Sequence, residues 1–575
     1  MLKLFRQLRP YALSITLTLV LVFASSIAEL SLPAMMANIV DDGIAKGDVA
    51  SIWKTGGIML IVAFAGIVAS LIGGFLASRT AMGFGRDLRS RVFAKVSSFS
   101  LRELDRLGTS SLITRTTNDI TQVQQVVFMM QRMMAHAPMM AIGGIIMALS
   151  TEPRLSWILL VILPVMALAI IFLARKGMPL FKAIQTKLDA LNRVMRENLT
   201  GIRVVRAFDR VEYEHQRFDA ANTDLTAATL KVNYLMAFLF PLVMLMMNLA
   251  TIMIVWFGGL AIGTGDVRIG SLMAFIQYTT QIMFSVIMVS VIFIMVPKAQ
   301  ASAIRINEVL DVMPEIVDPG SPIQPDHPVG RVEFRNVSFG YGTGAEPAIR
   351  DISFIAEPGT TTAIIGGTGS GKSTIINLVA RFYDVDSGTV LVDGIDVRQQ
   401  SQDGLRAGIG LATQRPILFS GTIGSNLRFG RPEATEEELA KAAETAQSTG
   451  FIAEKEGGMD APISQGGTNI SGGQKQRLAI GRALAKQPRI YLFDDTFSAL
   501  DFKTDARLRA ALRRQTADVT VIIVSQRVGT IRDADQIIVL DEGRIVGRGS
   551  HPALLAGCEV YREIVASQMT AEEAV

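Results

Sequence analysis

The amino-acid sequence predicts an all-α membrane domain of six helices with long cytoplasmic helical extensions, followed by a soluble α/β domain. Three observations carry this expectation. Of the 575 residues 49% are hydrophobic and the mean hydropathy is +0.36, too apolar for a soluble enzyme of this length. The apolar residues gather before about residue 300 in six stretches of spanning length, each near the roughly 20 residues that a bilayer requires. Beyond about residue 330, short β-rich runs alternate with helical segments, the pattern of an α/β domain.

The chain opens "MLKLFRQLRPY", with Lys3, Arg6 and Arg9 ahead of an apolar run from Ala12 to Val40. That run is too long for the apolar region of a signal peptide and lacks a cleavage site, so it reads as a retained first span with a cytoplasmic N-terminus. The spans are expected near 13–39, 57–77, 127–149, 156–174, 236–262 and 271–297. Connections after the first, third and fifth are short. Those after the second and fourth, Arg79 to Arg132 and Arg175 to Lys231, are long, basic and helical in pattern. Positive charge stays inside, which places both long connections in the cytoplasm. About 25 helical residues reach on the order of 35 Å, so each connection reads as a helical hairpin, turning near Leu101–Ser111 and Arg203–Phe218. The net charge of +4 and pI of 9.1 follow from this topology and carry no sign of nucleic-acid binding. One cysteine, Cys558, excludes an internal disulfide, and with four histidines it cannot build a zinc cluster.

"VMPEIVDPGSPIQPDHPVG", Val312 to Gly330, breaks all periodicity. The expected partition is a membrane domain over 1–311, a linker over 312–330 and a nucleotide-binding domain over 331–575. The nucleotide assignment rests on "GGTGSGKST", which matches G-x-x-x-x-G-K-[ST] between the strand-like "TTTAII" and the helix-like "STIINLVARFY". Gly366, Gly367, Thr368, Gly369, Ser370 and Gly371 present successive backbone amides to phosphates. Lys372 reaches the β and γ phosphates, Ser373 can coordinate Mg2+, and Thr374 continues the loop into the helix.

Farther on, "NISGGQKQRLAIGRALAKQP" begins at Asn469 and leads into "IYLFDDTFSALD", Ile490 to Asp501. Alone, "SGGQ" is a helix cap, with Ser471 as N-cap. At this spacing from a phosphate loop the chain resembles the ABC transporter family, specifically an exporter half-transporter of six spans and one nucleotide-binding domain. The resemblance extends over nearly the whole chain and implies ATP as cofactor with Mg2+. It makes Tyr341 the aromatic that stacks on adenine, Gln414 the glutamine beside magnesium, and Asp494 the magnesium carboxylate, so that Ser373, Gln414 and Asp494 form the metal set. The two hairpin tips resemble the family's coupling helices, and "SALD" the loop through which two nucleotide domains touch. Such domains close head to tail, so Ser471, Gly472, Gly473 and Gln474 would cap ATP held by a second chain. The resemblance also implies a multi-pass protein of the bacterial plasma membrane, lipid bilayer around its spans, a small-molecule substrate and no nucleic-acid partner.

Two positions depart from the family pattern. Asp495 stands where a catalytic Glu belongs, and Gln526 where a His contacts the γ-phosphate. Asp keeps the carboxylate but is one methylene shorter, while Gln donates only a neutral hydrogen bond. Bacterial heterodimeric exporters of drugs and lipids combine one degenerate with one competent site, and the resemblance implies that arrangement here, with a second, non-identical half-transporter as partner. The alternatives are a homodimer with slow Asp-based hydrolysis, an importer on an exporter fold, for example for a siderophore, and an ATP-gated channel or regulator. In the spans, Gln277, Gln281 and Ser285 form a polar stripe that either lines a cavity or bonds neighbouring helices. Glu29 faces protein or water, as a cation site or as a pairing group, and His136 needs an ordinary hydrogen-bond partner. The methionines read as packing filler or as an adaptable substrate surface.

Overall fold

The computed structural model describes residues 1–342 and 346–568; the end of the expected 331–575 domain, from 569 on, lies outside the described residues. The chain divides into two compact units, Met1–Ser97 with Ser110–Val312, and Ser98–Thr109 with the sequence from Met313 on.

The first unit is helical. Its long helices are α1 Ala12–Asn38, α2 Val49–Ser97, α3 Ile120–Thr151, α4 Ser156–Thr200, α5 Val211–Gly263 and α6 Ile269–Asp311. Six helical segments among the described residues are long and apolar enough to cross a membrane. With 49, 45 and 53 residues, α2, α4 and α5 are more than twice the minimum span, so each runs on well past a hydrocarbon core of about 30 Å. Between α4 and α5 the chain turns at Gly201 through the short helix Ile202–Ala207. Prolines 33, 138, 164, 179, 241 and 297 lie inside these helices, which membrane helices tolerate where neighbours or local adjustments satisfy the freed carbonyls.

Helices α3 and α6 pack through Met140, Ala148, Phe275 and Ile282, all buried. Gly144 permits the approach, since a Cβ there would stand 2.7 Å from Cγ1 of Ile282. Tyr278 of α6, fully buried, donates from its hydroxyl to the Leu30 carbonyl at 2.9 Å. This interhelical hydrogen bond comes from a residue outside the polar stripe that the sequence singled out. In the stripe itself Ser285 bonds its own helix at Ile282, Gln277 is exposed, and Oε1 of Gln281 is buried without a partner. At the cytoplasmic end Asp119, 2% exposed, accepts from Ser302 Oγ at 2.9 Å and from Arg305 Nε at 2.7 Å.

The second unit contains strands β1 Val332–Phe339, β2 Ile349–Ala356, β3 Thr361–Gly366, β4 Ser387–Val392, β5 Ile395–Asp396, β6 Ile409–Ala412, β7 Gly421–Thr422, β8 Pro462–Ile463, β9 Ile490–Asp494, β10 Thr520–Val524, β11 Gln536–Asp541 and β12 Arg544–Gly549. An antiparallel sheet has the order β2-β1-β4-β5, and a larger one the order β12-β11-β3-β10-β9-β6. In the larger sheet β11, β3, β10, β9 and β6 are parallel and β12 closes the edge antiparallel. Continuous apolar runs explain the burial of the central strands: all five residues of β10 are buried, as parallel strands covered on both faces require.

The insertion Ser98–Thr109 is part of this unit. Its helix Leu101–Leu107 starts at Ser100 in a reciprocal cap with Glu103. Leu101 packs against the core of this unit, and Nη1 of Arg102 pairs with Glu315 at 2.6 Å. The Pro-rich stretch is anchored rather than loose: Ile323 N–H donates to the Gln399 carbonyl at 2.9 Å, and Asp318 accepts from Gln402 N–H at 3.0 Å.

Candidate nucleotide site

Strand order explains how residues far apart in sequence meet. The C-terminal ends of β3, β10, β9 and β6 lie side by side at one edge of the sheet. They lead respectively into the phosphate loop, Gln526, Asp494 with Asp495, and Gln414. Ligands of parallel sheets bind outside this edge.

The loop runs from Gly366 at the end of β3 to α7, Lys372–Val379. Its glycines answer two separate demands. Gly369 and Gly371 adopt φ of 84° and 94°, and a Cβ at Gly371 would stand 2.4 Å from Ile349 and 2.6 Å from the Ala348 carbonyl. At Gly366 a Cβ would lie 2.1 Å from the Leu540 carbonyl. By contrast nothing lies within 4 Å of a Cβ at Gly367 or Gly369, so the crest of the loop is open on its outer side.

Inside the loop Lys372 Nζ donates to the carbonyls of Gly366 at 2.9 Å and Gly367 at 2.5 Å, and approaches Ser370 Oγ at 3.4 Å. Burial pushes this ammonium below its ordinary range, against the pull of Asp495 and Asp494. Ser373 Oγ donates to Asp494 Oδ1 at 2.9 Å. Burial raises Asp494, which the Ser373 hydrogen bond opposes and the neighbouring Asp495 reinforces. Burial also raises Asp495, with the Gln526 backbone and the Gln414 side chain pulling the other way. Asp495 sits at φ 47°, 7% exposed, with Oδ1 lacking any hydrogen-bond partner. A buried, unsatisfied carboxylate oxygen costs about 1–3 kcal/mol, and it is a point where a ligand would supply what the chain does not.

These residues fit a magnesium nucleotide. The open crest offers amides to phosphates, and Ser373 with Asp494 offers a hydroxyl and a carboxylate, the hard oxygen donors Mg2+ selects. No group of three or more His, Cys, Asp or Glu able to hold a metal occurs among the described residues. An ion here would complete its coordination from nucleotide and water, as magnesium commonly does.

Tyr341 follows β1 and is 46% exposed. Its hydroxyl is 3.0 Å from Thr374 Oγ1, and its ring stands perpendicular to Tyr383 at 5.2 Å. Tyr383, which the sequence reading did not single out, thus props the aromatic, and its hydroxyl also reaches Asp105 of the inserted helix at 3.5 Å. Gln414 and Gln526 are both exposed beside buried Asp495 and half-buried Asp494.

Ser471 caps α8, Gly472–Ala485: its Oγ accepts from Gln474 N–H at 3.3 Å while Gln474 Oε1 accepts from Ser471 N–H at 3.1 Å. None of Ser471, Gly472, Gly473 and Gln474 shares a hydrogen bond with the phosphate loop among the described residues. The helix is instead tied to the segment after β9, where the Ala499 N–H donates to Oε1 of buried Gln476 at 3.2 Å. Gln476 was missed because a lone Gln two residues past a motif carries no sequence signal of burial. Asp501 caps α9, Phe502–Gln515, accepting from Thr504 N–H at 3.0 Å.

Comparison with known proteins shows the family. Residues 15–286 match the model of the ABC transporter transmembrane region and residues 349–498 that of the ABC transporter. An uncharacterised ABC transporter ATP-binding protein of Mycobacterium tuberculosis is 45% identical over 99% of this chain and 98% of its own length. A fatty acid ABC transporter ATP-binding/permease protein of Mycobacterium bovis is 35% identical over 83% of this chain and 75% of its own. Among solved structures, a bacterial Atm1-family ABC exporter with ATP bound superposes with a TM-score of 0.78 at 27% identity, over 98% of this chain and 99% of that one.

Proposed function

The chain belongs to the ABC transporter family, as an exporter half-transporter of the bacterial plasma membrane with an ATPase domain coupled to transport, and on that premise we propose that it is one subunit of an asymmetric exporter of amphipathic small molecules or lipids. Its own phosphate loop, Asp494, Asp495 and Gln526 form a slowly hydrolysing site. Its intact Ser471–Gln474 cap serves the competent site of a second, non-identical subunit. The observation that carries this reading is the contrast between the two: a well-formed cap, exposed and unconnected to its own loop, beside a catalytic position occupied by the shorter, buried Asp495.

Bound magnesium nucleotide would supply the phosphoanhydride and neutralise its charge. Lys372 would hold the phosphates, Ser373 and Asp494 would hold the ion with Gln414 beside them, and Tyr341 would support the base. A water-orienting carboxylate must reach the water. Asp495 falls short by one methylene, and a displacement of about 1 Å costs on the order of 100-fold in rate. Gln526 donates a neutral hydrogen bond where a protonated His would give a charge-assisted one, roughly twice as strong. Helix Leu101–Leu107 belongs to the nucleotide-domain unit and follows directly on α2, so closure of the nucleotide domains is passed to α2 through it.

Direction is tested with inside-out vesicles holding the complete transporter. ATP-dependent accumulation of an amphiphilic dye is expected there, with none in right-side-out vesicles. Accumulation only in right-side-out vesicles would make the chain part of an importer, and dye-independent ion conductance on ATP addition would make it a channel.

A further inference from the structure

A second polar constellation lies inside the membrane unit. A cavity of about 590 Å³ opens between α1, α2, α3 and α6, with Leu32, Phe128 and Met288 among its apolar walls. Its size is that of a small-molecule site. Three ionisable side chains line the same space: Glu29 of α1, and Arg132 and His136 one turn apart on α3. Charges within a membrane span are costly, so a group kept there is by default a functional one.

Arg132 and Glu29 form no ion pair with each other among the described residues. Glu29 stands 3.7 Å from His136 Nε2, beyond hydrogen-bond length, while His136 Nδ1 is engaged with Ser26 Oγ at 2.9 Å. Arg132 reaches Ser70 Oγ only at 3.5 Å and has no ion pair among the described residues. Its guanidinium lies over Gly74, where a Cβ would stand 3.4 Å from Nη1. The cavity therefore sets a guanidinium and a carboxyl group, not paired with each other, on apolar walls.

We propose that this cavity binds a zwitterionic amphiphile, with its anionic group on Arg132, its ammonium on Glu29 and its acyl chain along Leu32, Phe128 and Met288. A purely anionic amphiphile would satisfy Arg132 and be repelled by Glu29; a purely cationic one meets the converse; a neutral one leaves both charges desolvated and unpaired. His136, held by Ser26, stands beside Glu29 with its Nε2 3.7 Å from the carboxylate. The proposal narrows the substrate class of the exporter reading and rests on it for the role of the cavity. Binding without nucleotide tests it separately from transport direction and from the ATP sites.

The experiment measures equilibrium binding of lauroyl-lysophosphatidylethanolamine, laurate and dodecylammonium to the full-length transporter in maltoside micelles. The zwitterion is expected to bind at least 10-fold tighter than either singly charged probe. Glu29→Gln should erase that preference by tightening laurate and weakening the zwitterion, and Arg132→Gln by tightening dodecylammonium. Glu29→Asp and Arg132→Lys keep the signs of charge and should retain the preference, which separates lost recognition from lost folding. Equal affinities for the three probes would overturn the proposal. So would a preference for laurate unaffected by Glu29→Gln, or loss of preference in the charge-preserving variants while they elute as monodisperse protein.

Discussion

Replacing Asp495 with Glu and Gln526 with His together raises ATP turnover at this chain's own phosphate loop by on the order of 100-fold. The two side chains follow neighbouring strands, β9 and β10, which pair in register up to Val524 opposite Asp494, so both changes act at one place. The longer carboxylate extends toward the phosphates from a backbone already held by the Asp495 N–H bond to the Val524 carbonyl at 2.9 Å. The imidazole restores a donor that can carry charge. Each single change should give less than half of the combined effect in logarithmic terms, since groups that act on one water are not additive. Trapping of labelled nucleotide at Lys372, resolved from that at the partner's lysine, measures this. Unchanged turnover at this loop would mean that the two departures are not what limits it.

The second large effect is expected in the other direction and at the other site. Gly472 is the first residue of α8, and nothing lies within 4 Å of a Cβ placed there. Gly472→Asp is therefore sterically free, and an acidic residue at a helix N-terminus stabilises it by about 0.3–1 kcal/mol. If the cap faces the γ-phosphate bound by the partner, the same carboxylate repels that phosphate. Hydrolysis at the partner's loop should fall by at least about 100-fold, roughly 2.7 kcal/mol of barrier, while the unfolding temperature holds or rises. Full hydrolysis in a folded variant would show that the Ser471–Gln474 cap meets no nucleotide.

Much of this was legible in the sequence because its signals are local. Spans follow from apolar length, the loop from Gly366–Ser373 between a strand and a helix, and the cap from Ser471 with Gln474 three residues on. What was not legible depends on strand order and on packing between distant segments. Nothing in the sequence says that β10 lies between β3 and β9, and that order alone brings Gln526 beside Asp495. The polar stripe on α6 was read from periodicity, yet the hydrogen bond across helices comes from Tyr278, whose large apolar ring hides a hydroxyl aimed at Leu30. Glu29 and Arg132 are 103 positions apart and only the packing of α1 against α3 brings them to one cavity. Residues Ser98–Thr109 are likewise contiguous with the membrane helices in sequence but fold with the nucleotide domain.

By the proposed function, this chain supplies one weak site and half of a strong one. The most direct test is the magnesium-dependent ATPase rate of the chain purified alone, set against the chain co-expressed with a second half-transporter that carries Glu and His at the two departed positions. Near-zero turnover alone and robust turnover in a one-to-one complex is the predicted result. Substantial turnover by the chain as a homodimer would contradict it and make Asp495 a working catalytic carboxylate.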